Sequence, residues 1–214
     1  MTRSSLKTVF SAFWDTFLNN NVVLVQAIGI CPILAVGYNL KYAVALSVCT
    51  TLVLIPVSLL LTIIGDRLAN WLRPVVYTLL SSVLLFGAAF VLHRWISAEL
   101  YAKLYVFLPL MAVNTLFTYR AGNIRAALRP AVSAADALGS ALGFSLVLCI
   151  AGALREMAIA GTLWDIPLGY DARFPEAEHP FIGFVLLGFM AAALQWFRRL
   201  AQRLVRGKEE VEQP

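Results

Sequence analysis

Charged residues are scarce in this sequence. Of its 214 residues, 14% are Asp, Glu, Lys or Arg and 60% are hydrophobic, and the mean hydropathy is +0.79. A soluble domain needs more polar surface than this composition supplies. Apolar stretches of about 20 residues, the length of a membrane-crossing helix, also recur along nearly the whole chain. The composition therefore excludes an ordinary soluble protein and predicts a polytopic membrane protein.

Motifs for nucleotide binding and hydrolysis are also missing from the sequence. It has no phosphate-binding loop, no glycine-rich dinucleotide turn, no HExxH motif and no Ser-His-Asp arrangement. The two histidines, His93 and His179, fall at a predicted membrane edge with no cysteine or carboxylate at ligand spacing. We therefore expect no histidine metal site and no self-sufficient enzyme that binds NADH or flavin.

Cysteine is rare, and its three positions lie in apolar segments where disulfides are not expected. Cys49 and Cys149 fall in the middle of predicted helices, where a cysteine usually packs as a small hydrophobe. Cys31 differs because Pro32 follows it and the uncharged polar residues Asn20, Asn21 and Gln26 precede it. From spacing alone, Cys31 is either a small buried residue at a kink or a thiolate ligand of a soft metal centre.

Six apolar segments are predicted to span the membrane as helices. They are residues 21–38, 42–64, 74–92, 104–119, 131–154 and 181–197. Cys31-Pro32 interrupts the first segment and Leu108-Pro109 interrupts the fourth. Proline removes a backbone donor and clashes with the preceding turn, so we expect the first and fourth helices to be broken at membrane depth.

The chain divides into three regions. Residues 1–19 carry large apolar side chains at helical spacing, which predicts an N-terminal amphipathic helix with an aromatic face in the membrane interface. The alternative is that they form the exposed start of the first span. Residues 20–197 form the six-span membrane domain, and residues 198–214 form a basic cytoplasmic tail.

The basic residues predict an orientation. The formal net charge is +5, and six spans place 12 of the 17 Lys and Arg residues on the side shared by both termini. The positive-inside rule then puts both termini in the cytoplasm and the chain in the cytoplasmic (inner) membrane of a bacterium. We expect anionic lipids or a partner subunit to meet these charges, and no nucleic acid.

The sequence hints at an inverted repeat. Residues 51–54 (TLVL) in the second span resemble residues 145–148 (SLVL) in the fifth, and each follows a short span interrupted by proline. Repeats that are three spans apart have opposite orientations in the membrane, and paired broken helices in such repeats indicate a site near the midplane. The predicted fold is therefore all-α membrane, with six transmembrane helices in two inverted three-helix repeats.

Three charged residues are candidates for an ion path. Asp136 lies inside the fifth predicted span near its cytoplasmic end, where it handles a cation or reaches the headgroups. Arg155 and Glu156 end the same span. They form part of an ion path, a salt bridge to a partner, or an anchor at the interface.

Three segments resemble the small membrane subunits shared by the Rnf electron-transport complex and the Na⁺-translocating NADH:quinone oxidoreductase. Residues 20–35 (NNVVLVQAIGICPILA) resemble the family's first signature. Residues 143–164 (GFSLVLCIAGALREMAIAGTLW) resemble the signature of its E/D-type (RnfE/NqrD-like) member. Residues 107–114 (FLPLMAVN), followed by Arg120-Ala121, are similar to the signature of the second half. The segments occur in the family's order and cover most of residues 19–165.

The resemblance implies a shared redox site. In that family, two inverted partners each supply two cysteines to a [2Fe–2S] cluster near the midplane. The cluster relays electrons between flavin-bearing subunits, and the relay is coupled to Na⁺ or H⁺ movement. Cys31 matches the first of these cysteines, and thiolate ligation suits iron–sulfur chemistry.

The second cysteine of the family pattern is missing here. It is expected directly after Asn114, where this chain has Thr115, and a hydroxyl is a poor ligand for iron in such a cluster. Either three thiolates and another group hold the cluster, or the cluster is lost or altered. The expected function is that of an E/D-type member that pairs with an inverted A/E-type homologue. The alternatives are a small secondary transporter and a structural paralogue without a redox centre.

Overall fold

The structure, a computed structural model, is built mainly from α-helices. It describes residues 3–36, 39–64, 67–69, 71–95, 101–102, 107, 111, 130–164, 166–167, 169 and 174–211. The described helices are α1 (Arg3–Trp14), α2 (Ile30–Val36), α3 (Leu40–Ile64), α4 (Leu72–Trp95), α5 (Pro130–Ala160) and α6 (Pro180–Val211). A π-helical turn (Asp15–Asn19) continues α1, and a 3-10 turn (Pro175–Glu178) precedes α6. Two short strands, β1 (Thr162–Leu163) and β2 (Ile166–Pro167), pair antiparallel after α5.

Four helices in the described residues are long and apolar enough to cross a membrane. They comprise Leu40–Ile64, Leu72–Val91, Pro130–Ala160 and Pro180–Leu200. These bounds agree with the second, third, fifth and sixth predicted spans, and the all-α membrane fold class is confirmed. The fourth predicted span, residues 104–119, lies outside the described residues except for positions 107 and 111.

The first predicted span is not one continuous helix. Non-helical backbone and tight turns occupy residues 20–29, and α2 then has only seven residues. Ala27 (φ 55°) and Gly29 (φ 80°) adopt left-handed backbone conformations that a right-handed helix cannot include. A break is therefore present, but it precedes Cys31, whereas the sequence placed it at Cys31-Pro32. Pro32 lies in the first turn of α2, where a backbone N–H would have no acceptor within the helix, so the N–H that proline lacks is not needed there.

Helices α3 and α5 form the centre of the fold and run antiparallel. Ser47 Oγ lies 3.8 Å from Cys149 Sγ near one end of the pair. Thr62 Oγ1 and Ser133 Oγ share a hydrogen bond of 2.7 Å near the other end. Between these two contacts, buried aliphatic and aromatic side chains of both helices fill the interface. They include Val53, Leu54, Val57, Phe144, Val147 and Leu148.

Helix α4 packs beside α3 and leaves one face uncovered within the described part of the chain. The Ser58 hydroxyl and the Tyr77 hydroxyl, both buried, share a hydrogen bond of 3.1 Å between the two helices. The opposite side of α4 exposes large apolar side chains at helical spacing. These are Leu79, Val83, Phe86 and Phe90. Such a surface suits a lipid or protein environment and not water.

The N-terminal helix lies against α5. A Cβ placed on Gly139 would be 2.6 Å from the carbonyl oxygen of Phe13, and one placed on Gly143 would be 3.4 Å from that of Phe17. Two glycines four residues apart thus let another backbone approach α5 closely. The location of residues 1–19 in the membrane interface stays a prediction. The bounds of the other two regions, 20–197 and 198–214, stay predictions too.

Candidate functional site

Cys31 lies on the surface at the start of α2. Its side chain is exposed, whereas the next three residues, Pro32, Ile33 and Leu34, are buried. Cys31 is therefore not a buried hydrophobe at a kink. Its surface position lets a group on another chain reach the sulfur.

Asn21 organises the backbone break that precedes Cys31. Its side-chain oxygen accepts hydrogen bonds from the backbone N–H groups of Val23 (3.0 Å) and Leu24 (3.1 Å). Its side-chain nitrogen donates to the carbonyl oxygen of Phe17 at 3.1 Å. Asn21 is only 3% exposed, so these bonds offset the cost of burying an amide among apolar helices. One side chain thus ends the preceding π-helical turn and starts the next turn.

Gln26 is a second polar residue in the same break. Its Nε2 donates to the carbonyl oxygen of Asn20 at 3.3 Å. Its Oε1 is buried and has no hydrogen-bond partner among the described residues. The break therefore contains one polar atom that the described part of this chain does not satisfy, close in sequence to the exposed thiol of Cys31.

Arg155 links the short helix α2 to the loop before α6. Its Nη1 donates to the carbonyl oxygen of Leu34 at 3.1 Å, and its Nε donates to that of Ala177 at 3.0 Å. Its Nη2 lies 3.5 Å from the carbonyl oxygen of His179. The arginine is 2% exposed. A buried cation among carbonyl oxygens fixes the positions of those backbone segments.

Glu156 binds the start of α3. Its Oε2 accepts a hydrogen bond from the backbone N–H of Leu40, the first residue of α3, at 2.8 Å. Its Oε1 accepts one from the Thr162 hydroxyl at 3.3 Å. A carboxylate at a helix N-terminus satisfies an unpaired donor and interacts favourably with the helix dipole. Arg155 and Glu156 therefore hold the end of α2 and the start of α3, respectively.

Asp136 lies near the opposite end of α5 and does not join Arg155 and Glu156. It accepts a hydrogen bond from the Thr16 hydroxyl of the N-terminal π-helical turn. At 1.5 Å per helical residue, Asp136 and Arg155 are about 28 Å apart along α5. The structure thus does not gather the three ion-path candidates at one place, and a role for them in ion movement stays a prediction.

The remaining candidate ligands are spread out or lie outside the described residues. Cys49 is buried and Cys149 is half-buried beside Ser47, positions that suit packing. Asn114 and Thr115 are outside the described residues. In the described part of the chain, no three His, Cys, Asp or Glu residues come together as a metal site. Of the three cysteines, Cys31 is the exposed one, and its role as a cluster ligand stays a prediction.

Sequence reasoning missed the close contact of the N-terminal helix with α5. The signal was present, because Gly139 and Gly143 form the small-xxx-small spacing that lets membrane helices approach closely. Thr16 gave no such signal, because an isolated threonine in an amphipathic helix does not indicate a carboxylate partner 120 residues away.

These features together define a polytopic helical membrane protein with a broken first segment and a surface thiol beside the break. The family described as "Rnf-Nqr subunit, membrane protein" matches residues 9–201. The chain belongs to the Rnf-Nqr subunit family, as its sequence signatures predicted.

Curated relatives from several Shewanella species resemble the chain, and each is named as the E subunit of an ion-translocating oxidoreductase complex. The chain is 35% identical over 152 residues to the relative from Shewanella sp. (strain ANA-3) and to the one from Shewanella oneidensis. It is 34% identical over 151 residues to the relative from Shewanella piezotolerans. Each match covers 71% of this chain and 65% of the relative.

Proposed function

We propose that this chain is the E/D-type membrane component of an ion-translocating oxidoreductase complex. In this proposal, Cys31 faces an inverted A/E-type homologue as one ligand of a shared [2Fe–2S] cluster. The observation that carries the proposal is the exposed thiol of Cys31 at the start of α2, directly after non-helical backbone. Family membership supports the assignment, as do the names of the Shewanella relatives.

The ligand position follows from local chemistry. Cys31 lies in the first turn of α2, where backbone N–H groups have no partner within the helix. When bound, an iron–sulfur cluster supplies one-electron transfer between the flavin-bearing subunits on the two membrane faces. The buried residues Ile33 and Leu34 pack α2 against the rest of the protein.

The relation between the two halves supports an inverted repeat. The segments TLVL (51–54) and SLVL (145–148) lie in α3 and α5, the antiparallel pair at the centre of the fold. Thr51 and Ser145, the first residues of the two segments, line the same groove of about 320 Å³. Equivalent helices of an inverted repeat run in opposite directions, as these two helices do.

The arrangement of the chain ends supports the proposed orientation. Thr16 contacts Asp136 at the end of α5 that also carries Ser133, the partner of Thr62. The N-terminal helix therefore shares one end of the fold with the chain that leaves α3 at Ile64. This is the side on which we place the excess of basic residues, the cytoplasm and the anionic lipids of the inner membrane.

Iron content and electron transfer test the proposal. The complex is purified with this chain unchanged, with Cys31→Ser, and with Cys149→Ser as a matched control for loss of a thiol in the same chain. We expect Cys31→Ser to leave the complex assembled but to lower the iron content and stop electron transfer to the distal flavin. The Cys149→Ser complex keeps both. Equal iron and equal electron transfer in all three complexes would overturn the proposal.

The same complexes, together with proteoliposomes of the chain alone, separate the two alternative functions. A secondary transporter moves its substrate in proteoliposomes that contain this chain alone, without an electron donor. A structural paralogue supports assembly whether or not Cys31 is present, and electron transfer does not change. Loss of electron transfer in an assembled Cys31→Ser complex contradicts both alternatives.

A further inference from the structure

Arg155 is the largest fully buried side chain in the described part of the protein, and the proposed electron relay does not itself use it. Its guanidinium reaches carbonyl oxygens on two separate pieces of chain: Leu34 in α2, and Ala177 and His179 in the segment directly before α6. Burying a cation at this depth is costly unless its donors are satisfied. Such a residue is suited to fixing the geometry of the segments that it joins.

Helix α2 depends on such contacts. It has seven residues, and a helix of this length is not stable on its own in the absence of tertiary packing. Left-handed Gly29 precedes it, so the helix does not continue into the preceding turn. Its orientation therefore follows from what holds its buried side and its C-terminal end.

Arg155 and α6 hold that C-terminal end. The Leu34 carbonyl belongs to the last turn of α2, whose acceptors have no partner within the helix, and Arg155 Nη1 donates to it. A cation at this end also complements the helix dipole. A Cβ placed on Gly183 of α6 would be 2.7 Å from Leu34 Cδ2 and 3.4 Å from Arg155 Nη1, so the three residues pack tightly together.

Leu34 and Cys31 are three residues apart in the same helix. Residues with this spacing lie on adjacent turns of one helical face, so a shift at one displaces the other. The bond to the Leu34 carbonyl therefore acts on the thiol through one turn of α2.

We propose that Arg155 is a positioning residue for Cys31: it fixes the C-terminal end of α2 and thereby sets the position of the thiol that faces the partner. This inference rests on the function proposed above. Arg155 does not touch the cluster, and it acts through the Leu34 carbonyl. Glu156 assists by fixing the start of α3 through Leu40.

The test uses the purified complex with Arg155→Lys, Arg155→Gln or Arg94→Gln in this chain. Arg94 is exposed in the last turn of α4, so Arg94→Gln controls for loss of one positive charge. The first readout is the midpoint potential of the reduced iron–sulfur signal that Cys31→Ser removes. The second is the rate at which Cys31 is alkylated in the isolated chain in detergent, measured by mass spectrometry with buried Cys49 as the internal reference.

We expect Arg155→Gln to alter both readouts. The reduction equilibrium shifts about tenfold, which is about 59 mV for a one-electron couple. Cys31 alkylation changes several-fold, while Arg94→Gln changes neither quantity. Arg155→Lys keeps the charge and some donors, so it gives an intermediate shift in both. If the complex with Arg155→Gln does not assemble, the midpoint potential of the Arg155→Lys complex and the Cys31 alkylation rates of the isolated chains test the positioning role.

Two results overturn the inference in distinguishable ways. If Cys31→Ser removes the signal but the Arg155 variants leave the potential and the alkylation rate at the Arg94→Gln values, the positioning role is wrong and the proposed function stands. If Cys31→Ser leaves the iron–sulfur signal intact, the proposed function fails and the positioning role fails with it.

Discussion

Gly139 of α5 lies directly against the backbone of Phe13, so that a Cβ at position 139 would be 2.6 Å from the Phe13 carbonyl oxygen. The neighbour is backbone and not a flexible side chain, so the N-terminal helix has to move to admit a methyl group. The contact ties residues 3–19 to the centre of the membrane domain, because α5 also forms the antiparallel pair with α3.

Gly139→Ala is expected to detach or shift the N-terminal helix. Overpacking of this kind typically costs about 1–3 kcal/mol. The thermal unfolding midpoint of the protein in detergent should fall, and protease cleavage within residues 3–19 should become faster. Gly87→Ala in α4 is the matched control, because nothing lies within 4 Å of a Cβ placed there. Equal midpoints for the two variants would contradict the close contact.

Asn21→Ala is expected to destabilise the break before α2. The substitution removes the acceptor of the Val23 and Leu24 N–H groups and the donor to the Phe17 carbonyl. Each buried group left without a partner costs about 1–3 kcal/mol. Thermal unfolding measures the loss, and Asn20→Ala at the neighbouring exposed position provides the control. A loss no larger than that of Asn20→Ala would show that Asn21 does not organise the break.

Glu156→Gln is expected to weaken the start of α3. Glutamine keeps an acceptor for the Leu40 N–H but loses the negative charge that favours a helix N-terminus, which is worth about 0.3–2 kcal/mol. The unfolding midpoint should fall modestly, and hydrogen exchange at the first turn of α3 should become faster. Glu176→Gln serves as the control, because Glu176 is an exposed carboxylate in the 3-10 turn. Unchanged hydrogen exchange at Leu40 and Lys41 in the Glu156→Gln variant would contradict the role of Glu156 in stabilising the start of α3.

The spanning helices could be predicted because length and apolar content are properties of the sequence itself. The predicted segments 42–64 and 131–154 correspond to α3 (Leu40–Ile64) and α5 (Pro130–Ala160). No water is present at membrane depth to satisfy backbone groups, so a long apolar segment has few choices besides a helix. The family could be predicted for a different reason, because its signatures are short and occur in a fixed order.

The position of the break could not be predicted in the same way. Proline usually ends a helix, so the sequence placed the break at Cys31-Pro32. Proline is also well tolerated in the first turn of a helix, and this is where Pro32 lies. Ala27 does not indicate a break at its position, because alanine seldom adopts the left-handed conformation that it has here. Whether Pro32 ends one helix or begins another depends on how the buried residues after it pack.

The partners of Arg155 could not be predicted either. Its acceptors are backbone carbonyl oxygens, and every residue has one, so Leu34 and Ala177 carry no sequence signal for this role. The sequence suggested an anchor, a salt bridge or an ion path for Arg155 and Glu156. The observed contacts favour structural attachment, and only the tertiary fold brings residues 34, 155 and 177 together.

Electron paramagnetic resonance of the reduced complex tests the central claim most directly. The spectrum of the complex with Cys31→Ser in this chain is compared with the spectra of the unchanged complex and the Cys149→Ser complex. We predict that Cys31→Ser abolishes or shifts one iron–sulfur signal, because oxygen replaces sulfur in the coordination of iron, and that Cys149→Ser does not. An assembled Cys31→Ser complex with every iron–sulfur signal unchanged in position and intensity would contradict the account.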